Sequence, residues 1–305
     1  MPRLLIASPH RYPDLARLWH RFVLHELVPG FERIGLDVEV NIFRDANADQ
    51  FRAEHFPRVR FTQSGPGLRD FMEFYDGTLC DPCEFVLFLD ADTFVLDGAW
   101  AGSYFRAFDQ PDVAAVSYVP RKGTPAIFAL LCRAESYRAL PAPALACRYE
   151  FPDQWPHGVN LQPGEFATRE LTNLGKIIIN IAPGESSRHT ANFRGTTGLR
   201  SSREQITHAV GEQVFLKSVA ASAPYLVAAY DNMLLGALYE ALYGEPFAAD
   251  GAGNSLAGSL TRAEFRNALA EVRDIESLRS RFAQSERNIL RMAAQEGKEL
   301  FIPSF

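Results

Sequence analysis

The sequence predicts an α/β protein: a mostly parallel central sheet flanked by helices, with further helices at the C-terminal end. Three observations predict it. Between Arg3 and Val119, short apolar runs alternate with segments of helical periodicity. Several of those runs carry no polar residue, as strands covered on both faces do. The spacing from one run to the next leaves room for a helical crossover, and such crossovers between strands of one sheet are right-handed and make them parallel.

The elements follow in chain order. Arg3–Ala7 (RLLIA) reads as a short buried strand. The segment 12–28 follows as a helix, with Leu15, Leu18, Trp19, Phe22, Val23 and Leu27 near helical spacing, and Gly30 and Gly35 punctuate its end. In DVEVNIF, Val38, Val40 and Ile42 alternate as in a strand. In GLRDFMEFYDGTL, Leu68, Phe71, Met72 and Tyr75 fall at i, i+3, i+4 and i+7, an amphipathic helix. The buried strand Phe85–Leu89 comes next, then Val113–Val119, then a strand running into a helix across 126–140. Residues 141–170 hold five prolines (141, 143, 152, 156, 163) among Tyr149, Phe151, Trp155 and Phe166, and read as a long irregular excursion. Lys176–Ile181 is a further strand, 184–204 a polar loop, 211–221 the start of a helix, and PYLVAAYDN another strand. From Thr261 the chain reads as helical, with Thr261 and Glu264 as a capping box and Phe265, Leu269, Val272, Leu278 and Phe282 as the apolar stripe. The expected organisation is one α/β domain over 1–244, with 141–170 as an insertion, and a helical segment 245–305 packed on the same domain.

Composition bounds the function. The chain has 305 residues, 47% hydrophobic and 22% charged, with 31 basic and 37 acidic residues and a net charge of −6. That balance argues against a general nucleic-acid binder, which needs a basic face. The apolar stretch at the N-terminus is broken by Pro9 and His10, unlike a secretory leader. No run approaches the ~18 apolar residues of a membrane span. The expectation is a cytoplasmic protein without an integral membrane segment. Four cysteines (80, 83, 132, 147) fit a reducing compartment. Cys80 and Cys83 form CDPC. A redox pair normally opens a helix after a strand, whereas this pair precedes a strand and encloses Pro82, so a turn is the reading carried forward.

The chemistry-bearing stretch is FVLFLDADTF. Asp90 and Asp92 follow the buried run with only Ala91 between them. Residues i and i+2 of an extended chain face the same way, so both carboxylates would project together. They would do so at the carboxyl end of an inner strand, where open α/β sheets bind ligands. Two adjacent carboxylates repel unless a cation intervenes, and Mg²⁺ or Mn²⁺ shared with substrate phosphates is the common solution. Three chemistries use such a pair. A haloacid-dehalogenase-type phosphatase fits poorly, because the second residue after Asp92 is Phe94 and the pair lies far from the first strand. A metal-dependent nucleotidyltransferase and a nucleotide-sugar glycosyltransferase remain.

FLDADTFVL resembles the DxD segment of GT-A glycosyltransferases, most closely the glycogenin-like group (family 8). Four blocks support the resemblance, in the family's order, across roughly 3–235: ASPHRYPDLARLWHRFV, GLRDFMEF, TNLGKIIINI and GEQVFLKSV. The resemblance implies a Rossmann-like GT-A domain and a hexosyltransferase-type enzyme that retains anomeric configuration. Donor contacts would come from Ala7, Ser8, Tyr12 (stacked on the base), Arg69, Asp90, Ala91, Asp92 and Gly175. Asp90 and Asp92 would hold Mn²⁺ or Mg²⁺. Asn173, Glu212 and Gln213 would stand near the donor sugar and the reacting centre. Among the arginines of loop 184–204, Arg194 can fold over a diphosphate. Trp155 offers an acceptor platform. The partners implied are a nucleotide-diphosphate sugar, UDP-linked by the resemblance, and a soluble saccharide, small-molecule or carrier-bound acceptor. The chain departs from the family in one respect: no histidine follows His208, whereas the family takes a C-terminal histidine as metal ligand. That departure keeps an inactive nucleotide-sugar-binding protein as an alternative beside the nucleotidyltransferase.

Overall fold

A computed structural model describes residues 1–10, 13–44, 51–63, 74–75, 77–89, 98, 100–118, 129–140, 165–181, 223–245, 255–256, 260–270 and 275–302. Its strands are β1 (Arg3–His10), β2 (Asp37–Arg44), β3 (Val59–Gln63), β4 (Phe85–Leu89), β5 (Val113–Tyr118), β6 (Ala129–Arg133) and β7 (Ile177–Ile181). They form one seven-stranded sheet in the order β3-β2-β1-β4-β6-β5-β7. β1, β2, β3 and β4 run parallel, β6 is antiparallel to both β4 and β5, and β7 is parallel to β5. This is the Rossmann-like, mostly parallel α/β architecture that the alternation of runs predicts.

The described chain divides into two compact units, 1–11 with 23–193 and 12–22 with 194–305. The first holds the sheet. All five residues of β4 are buried, between β1 on one side and β6 on the other. On one face, Leu5, Ala7, Val86, Phe88, Leu130 and Cys132 share a core with Phe43, Phe74 and Tyr75. Phe74 stacks on Phe43 at 4.4 Å and Tyr75 meets Phe88 edge-on at 5.1 Å. Elsewhere in this unit Phe85 meets Phe105 and Phe108, and the Arg133 guanidinium lies over Phe85 and Phe108. Fully burying a Phe or Leu side chain contributes about 1.5–3 kcal/mol, so β4 is among the most strongly held strands of the sheet.

The second unit is helical: α1 (Pro13–Phe22), α6 (Ala223–Tyr243), α7 (Arg262–Ala270) and α8 (Ile275–Gln295), with a two-stranded ladder of β8 (Ser255–Leu256) and β9 (Leu260–Thr261). Leu226, Tyr230, Leu234, Leu235, Leu238 and Tyr239 of α6 are buried. Phe22 meets Tyr239 and Tyr243 edge-on, and Tyr230 stacks on Phe282 at 4.3 Å while donating a hydrogen bond to Glu286. The Tyr239 hydroxyl donates to Glu245 Oε2 at 2.8 Å, and burial together with that carboxylate pushes its pKa up to about 12.

The structure corrects four element readings. PYLVAAYDN is not a strand but the first half of α6; a helix apolar on most of its circumference shows no 3.6-residue contrast to detect. β3 went unread because Arg60 and Thr62 dilute its apolar residues, as suits a strand at the end of a sheet. α5 (Glu165–Asn173) begins within the proline-rich stretch read as irregular, immediately after its last proline has passed. β1 continues through Pro9 to His10, past the point where its pairing with β4 ends at Ala7.

At the amino edge of the sheet, the CDPC turn is held from three sides. Arg138, at the end of α4 (Ala134–Arg138), donates to the carbonyls of Leu79 (2.5 Å), Asp81 (2.9 Å) and Cys83 (2.5 Å). Arg60 pairs with Asp81 and with Glu39, and Arg3 pairs with Glu39 and donates to the Pro82 carbonyl. Lysine also has three donors, but they sit on one point-like ammonium and do not reproduce the spread of the planar guanidinium across Nε and a terminal nitrogen. We expect Arg138→Ala to lower the free energy of unfolding by about 1–3 kcal/mol in urea titration, with Arg138→Lys recovering only part of the loss.

Candidate functional site

The order of the strands defines where a ligand site belongs. From β1 the chain builds outward through β2 and β3, then returns to place β4 on the opposite side of β1. The carboxyl ends of β1 and β4 therefore flank a topological switch point, the crevice where open α/β sheets take their ligands. β4 ends at Leu89, and Asp90 follows by one peptide bond. Ala7 and Ser8 lie on β1 at this end, both wholly buried; Ala7 is paired with Phe88 on one side and Asn41 on the other.

Two polar residues at this edge were not singled out by the sequence reading. The buried Ser8 Oγ lies 3.0 Å from His10 Nε2, also buried, the two side chains sharing one face of the strand. His10 is the register partner of Arg44, the last residue of β2, whose guanidinium lies 4.8 Å from the Phe61 ring centroid. A histidine and an arginine thus close the carboxyl ends of adjacent strands. The signal that could have found them is their position: each is the last residue of a strand that heads for the sheet's carboxyl edge.

The chain beyond the aspartates is fixed again at Gly98. Its N–H donates to Glu26 Oε2 at 2.9 Å, and its carbonyl accepts from the Ala101 N–H at 3.1 Å, leading into α3 (Trp100–Phe105). Backbone meets backbone here: a Cβ on Gly98 would lie 1.9 Å from the Glu26 carbonyl oxygen, and one on Gly30 would lie 2.6 Å from the Gly98 oxygen.

Asn173 and Gly175 do not join this edge. Asn173 ends α5 and Gly175 forms the turn before β7, which starts level with the start of β5. That is the amino edge, on the far side of the sheet from Leu89, separated by a five-residue strand that spans roughly 17 Å. Their local role is clear. Gly175 has φ +72°, its N–H donates to the Thr172 carbonyl, and the Lys176 N–H donates to the Leu171 carbonyl. That is the Schellman termination of a helix, which requires glycine at the left-handed position. The NxG spacing, expected from the family resemblance to be a donor-binding block, coincides here with a helix end at the amino edge.

Tyr12, Arg69, Asp90, Ala91, Asp92, Trp155, Arg194, Glu212 and Gln213 lie outside the described residues. Among the described residues, no group of three or more His, Cys, Asp or Glu side chains is arranged to hold a metal. The Asp90 and Asp92 carboxylates, expected from the sequence to hold a cation, lie outside those residues; carboxylates are hard oxygen ligands of the kind that suits Mg²⁺ or Mn²⁺. The CDPC segment is a hydrogen-bonded turn: Cys80 N–H donates to the Gly77 carbonyl and Cys83 N–H to that of Asp81.

No protein-family model matches the chain, and no curated protein matches it. Solved structures similar to it include a mannosyltransferase from Pyrobaculum calidifontis in complex with GDP-Man and Mn²⁺, at 14% identity, covering 96% of this chain and 86% of that one with a TM-score of 0.42. A 4-diphosphocytidyl-2C-methyl-D-erythritol synthase from Anaerococcus prevotii DSM 20548 is 10% identical, covering 59% of this chain and 87% of that one with a TM-score of 0.38. A CMP:2-keto-3-deoxy-manno-octonic acid synthetase complexed with CTP is 13% identical, covering 59% and 89% with a TM-score of 0.34. At these values the likenesses assign no residue, and the functional argument rests on the chain's own features.

The thiols give a test of the described packing. Burial pushes the Cys83 thiol up, against the lowering effect of Arg138, and pushes Cys132 well above the ordinary thiol range. In timed alkylation at pH 8 followed by mass spectrometry, exposed Cys80 reacts first, while Cys83 and Cys132 react only on unfolding. Because the folded state keeps both thiols protonated, their contribution to stability is complete below the unfolded value of about 8.5 and is lost as the pH rises above it.

Proposed function

We propose that the protein is a nucleotide-sugar-dependent glycosyltransferase acting at the carboxyl edge of β1 and β4. The observation that carries the reading is that β4, buried along its whole length, ends at the topological switch point of the sheet, and Asp90-Ala91-Asp92 follow it in the sequence. Asp90 and Asp92 hold Mn²⁺ or Mg²⁺, and that ion, when bound, neutralises the charge that gathers on the departing nucleoside diphosphate. Ala7 and Ser8 form the floor of the proposed donor crevice at the end of β1. Arg44 adds a cation at the same edge, and His10 sets its ring beside Ser8.

The remaining roles complete the proposal. Tyr12 stacks on the base, uracil by the family resemblance. Arg69 and Arg194 bind the donor sugar and the diphosphate. Glu212, with Gln213, stands at the anomeric carbon, and transfer retains its configuration. Trp155 receives a soluble saccharide, small-molecule or carrier-bound acceptor. Among the described residues no helix is long and apolar enough to cross a membrane. Asn173 and Gly175 have no part in this site, because they stand at the opposite edge.

A panel of nucleotide sugars with Mn²⁺ or Mg²⁺, assayed for released nucleoside diphosphate, tests the reading and names the donor. Asp92→Ala is expected to lower turnover by at least about 100-fold with the fold unchanged by circular dichroism. Turnover that survives the substitution refutes the metal site. Release of pyrophosphate identifies a nucleotidyltransferase instead, and tight nucleotide-sugar binding without turnover identifies a binding protein.

A further inference from the structure

We infer that the arginine clasp on the CDPC turn is a redox gate: it keeps Cys80 and Cys83 apart as thiols, and a disulfide closes between them only when Arg138 lets go. The two cysteines lie three positions apart. The chain bends at Asp81 and Pro82, and the Cys83 N–H donates to the Asp81 carbonyl at 2.8 Å. A turn of that length can bring two cysteines within disulfide reach. Here the thiols occupy opposite environments instead. Cys80 is exposed, whereas Cys83 is 5% exposed and belongs to the core cluster with Leu79, Cys132 and Tyr137.

What holds them apart is the density of arginine on so short a segment. Arg138 binds the carbonyls of Leu79, Asp81 and Cys83 at 2.5, 2.9 and 2.5 Å. Arg3 donates to that of Pro82 at 3.2 Å, and Arg60 pairs with the Asp81 carboxylate. Four of the five carbonyls from Leu79 to Cys83 thus accept from a guanidinium. β4 is already held by its ladders to β1 and β6, so this bracing falls on the turn itself. A disulfide needs its Cβ atoms about 3.5–4.5 Å apart, so Cys83 must leave the core, and that moves carbonyls Arg138 fixes. Burial raises the Cys83 thiol against the opposing charge of Arg138. The clasped residue is therefore protonated and a poor nucleophile, and exposure returns it to the ordinary thiol range.

The exchange that reads the gate uses a small disulfide, oxidised glutathione. The Cys80 thiolate attacks one of its sulfurs, the glutathione S–S bond breaks, and one glutathione thiolate leaves. Cys83, once out of the core, gives its proton to water and attacks the Cys80 sulfur. The Cys80–Cys83 bond forms as the second glutathione thiolate leaves, and the two protons lost by the protein end on the two glutathione sulfurs. Two protein thiols are oxidised and one disulfide is reduced.

The test equilibrates the full-length protein with glutathione buffers of rising oxidised-to-reduced ratio, then quenches, alkylates and maps the bonds by mass spectrometry, for wild type, Arg138→Ala and Arg138→Lys. Arg138→Ala is expected to shift the equilibrium toward a Cys80–Cys83 disulfide by about tenfold or more, which is about 30 mV for a two-electron couple. Arg138→Lys keeps the charge and loses the fork, and is expected to shift it about threefold. Cys132 is wholly buried, so its protection from native alkylation separates an opened gate from an unfolded chain. If Arg138→Ala does not fold, Arg138→Lys decides alone. An equilibrium that the folded variants leave at the wild-type value overturns the gate. So does a disulfide that joins Cys80 or Cys83 to Cys132 or Cys147, or a Cys80–Cys83 bond that forms only in step with the loss of Cys132 protection.

Discussion

The burial of β4 is the constraint on which the rest of this structure depends. Five successive apolar side chains have no face to offer water, so the strand is stable only with cover above, below and at both edges. β1 supplies one edge, parallel, and β6 the other, antiparallel. The aromatic groups around Phe43, Phe74, Tyr75 and Phe88 and around Phe85, Phe105 and Phe108 pack against its length. A strand held in this way has a sharp end. Where the apolar residues stop, two carboxylates begin, and the change from buried to ionic falls at one peptide bond.

The two edges of the sheet are built differently. The amino edge is cross-linked by charge: Arg3, Arg60 and Arg138 reach Glu39, Asp81 and the carbonyls of the CDPC turn. Its exposed ion pairs are individually worth little, and the guanidinium–carbonyl bonds, with fixed fork geometry, do more. The carboxyl edge carries instead the buried Ser8–His10 pair and Arg44 beside it. Charge-assisted bracing sits at one end and the proposed ligand site at the other.

Much of this was legible in the sequence, for a stated reason in each case. β4, β5 and β6 showed because their apolar runs exceed what loops carry, and β2 because Val38, Val40 and Ile42 alternate with polar residues. α6 was misread because nearly every position of its first half is apolar, which erases the period that distinguishes a helix. Asn173 and Gly175 show the limit of spacing as a signal. An Asn, a Gly and a following apolar run describe a helix termination as well as a binding block, and only the strand register tells which edge they occupy. The contact at Gly98 was illegible because half of it lies 72 positions earlier in the chain, at Glu26. Glycine in a sequence advertises backbone freedom; close approach to a distant backbone becomes visible only in three dimensions.

The position of β6 has a consequence for how the protein is made. Its partner β4 is complete some forty residues before β6 leaves the ribosome, and the Arg138 guanidinium that ties the CDPC turn arrives 55 residues after Cys83. During that interval β4 has β1 beside it and an open apolar edge on its other side, with the turn's carbonyls still facing water. Pairings of such sequence separation form slowly, and unpaired strand edges invite association with other chains. The strand that leads into the aspartate pair is therefore also exposed to misassembly while the chain is growing, and it is a natural segment for a chaperone to cover.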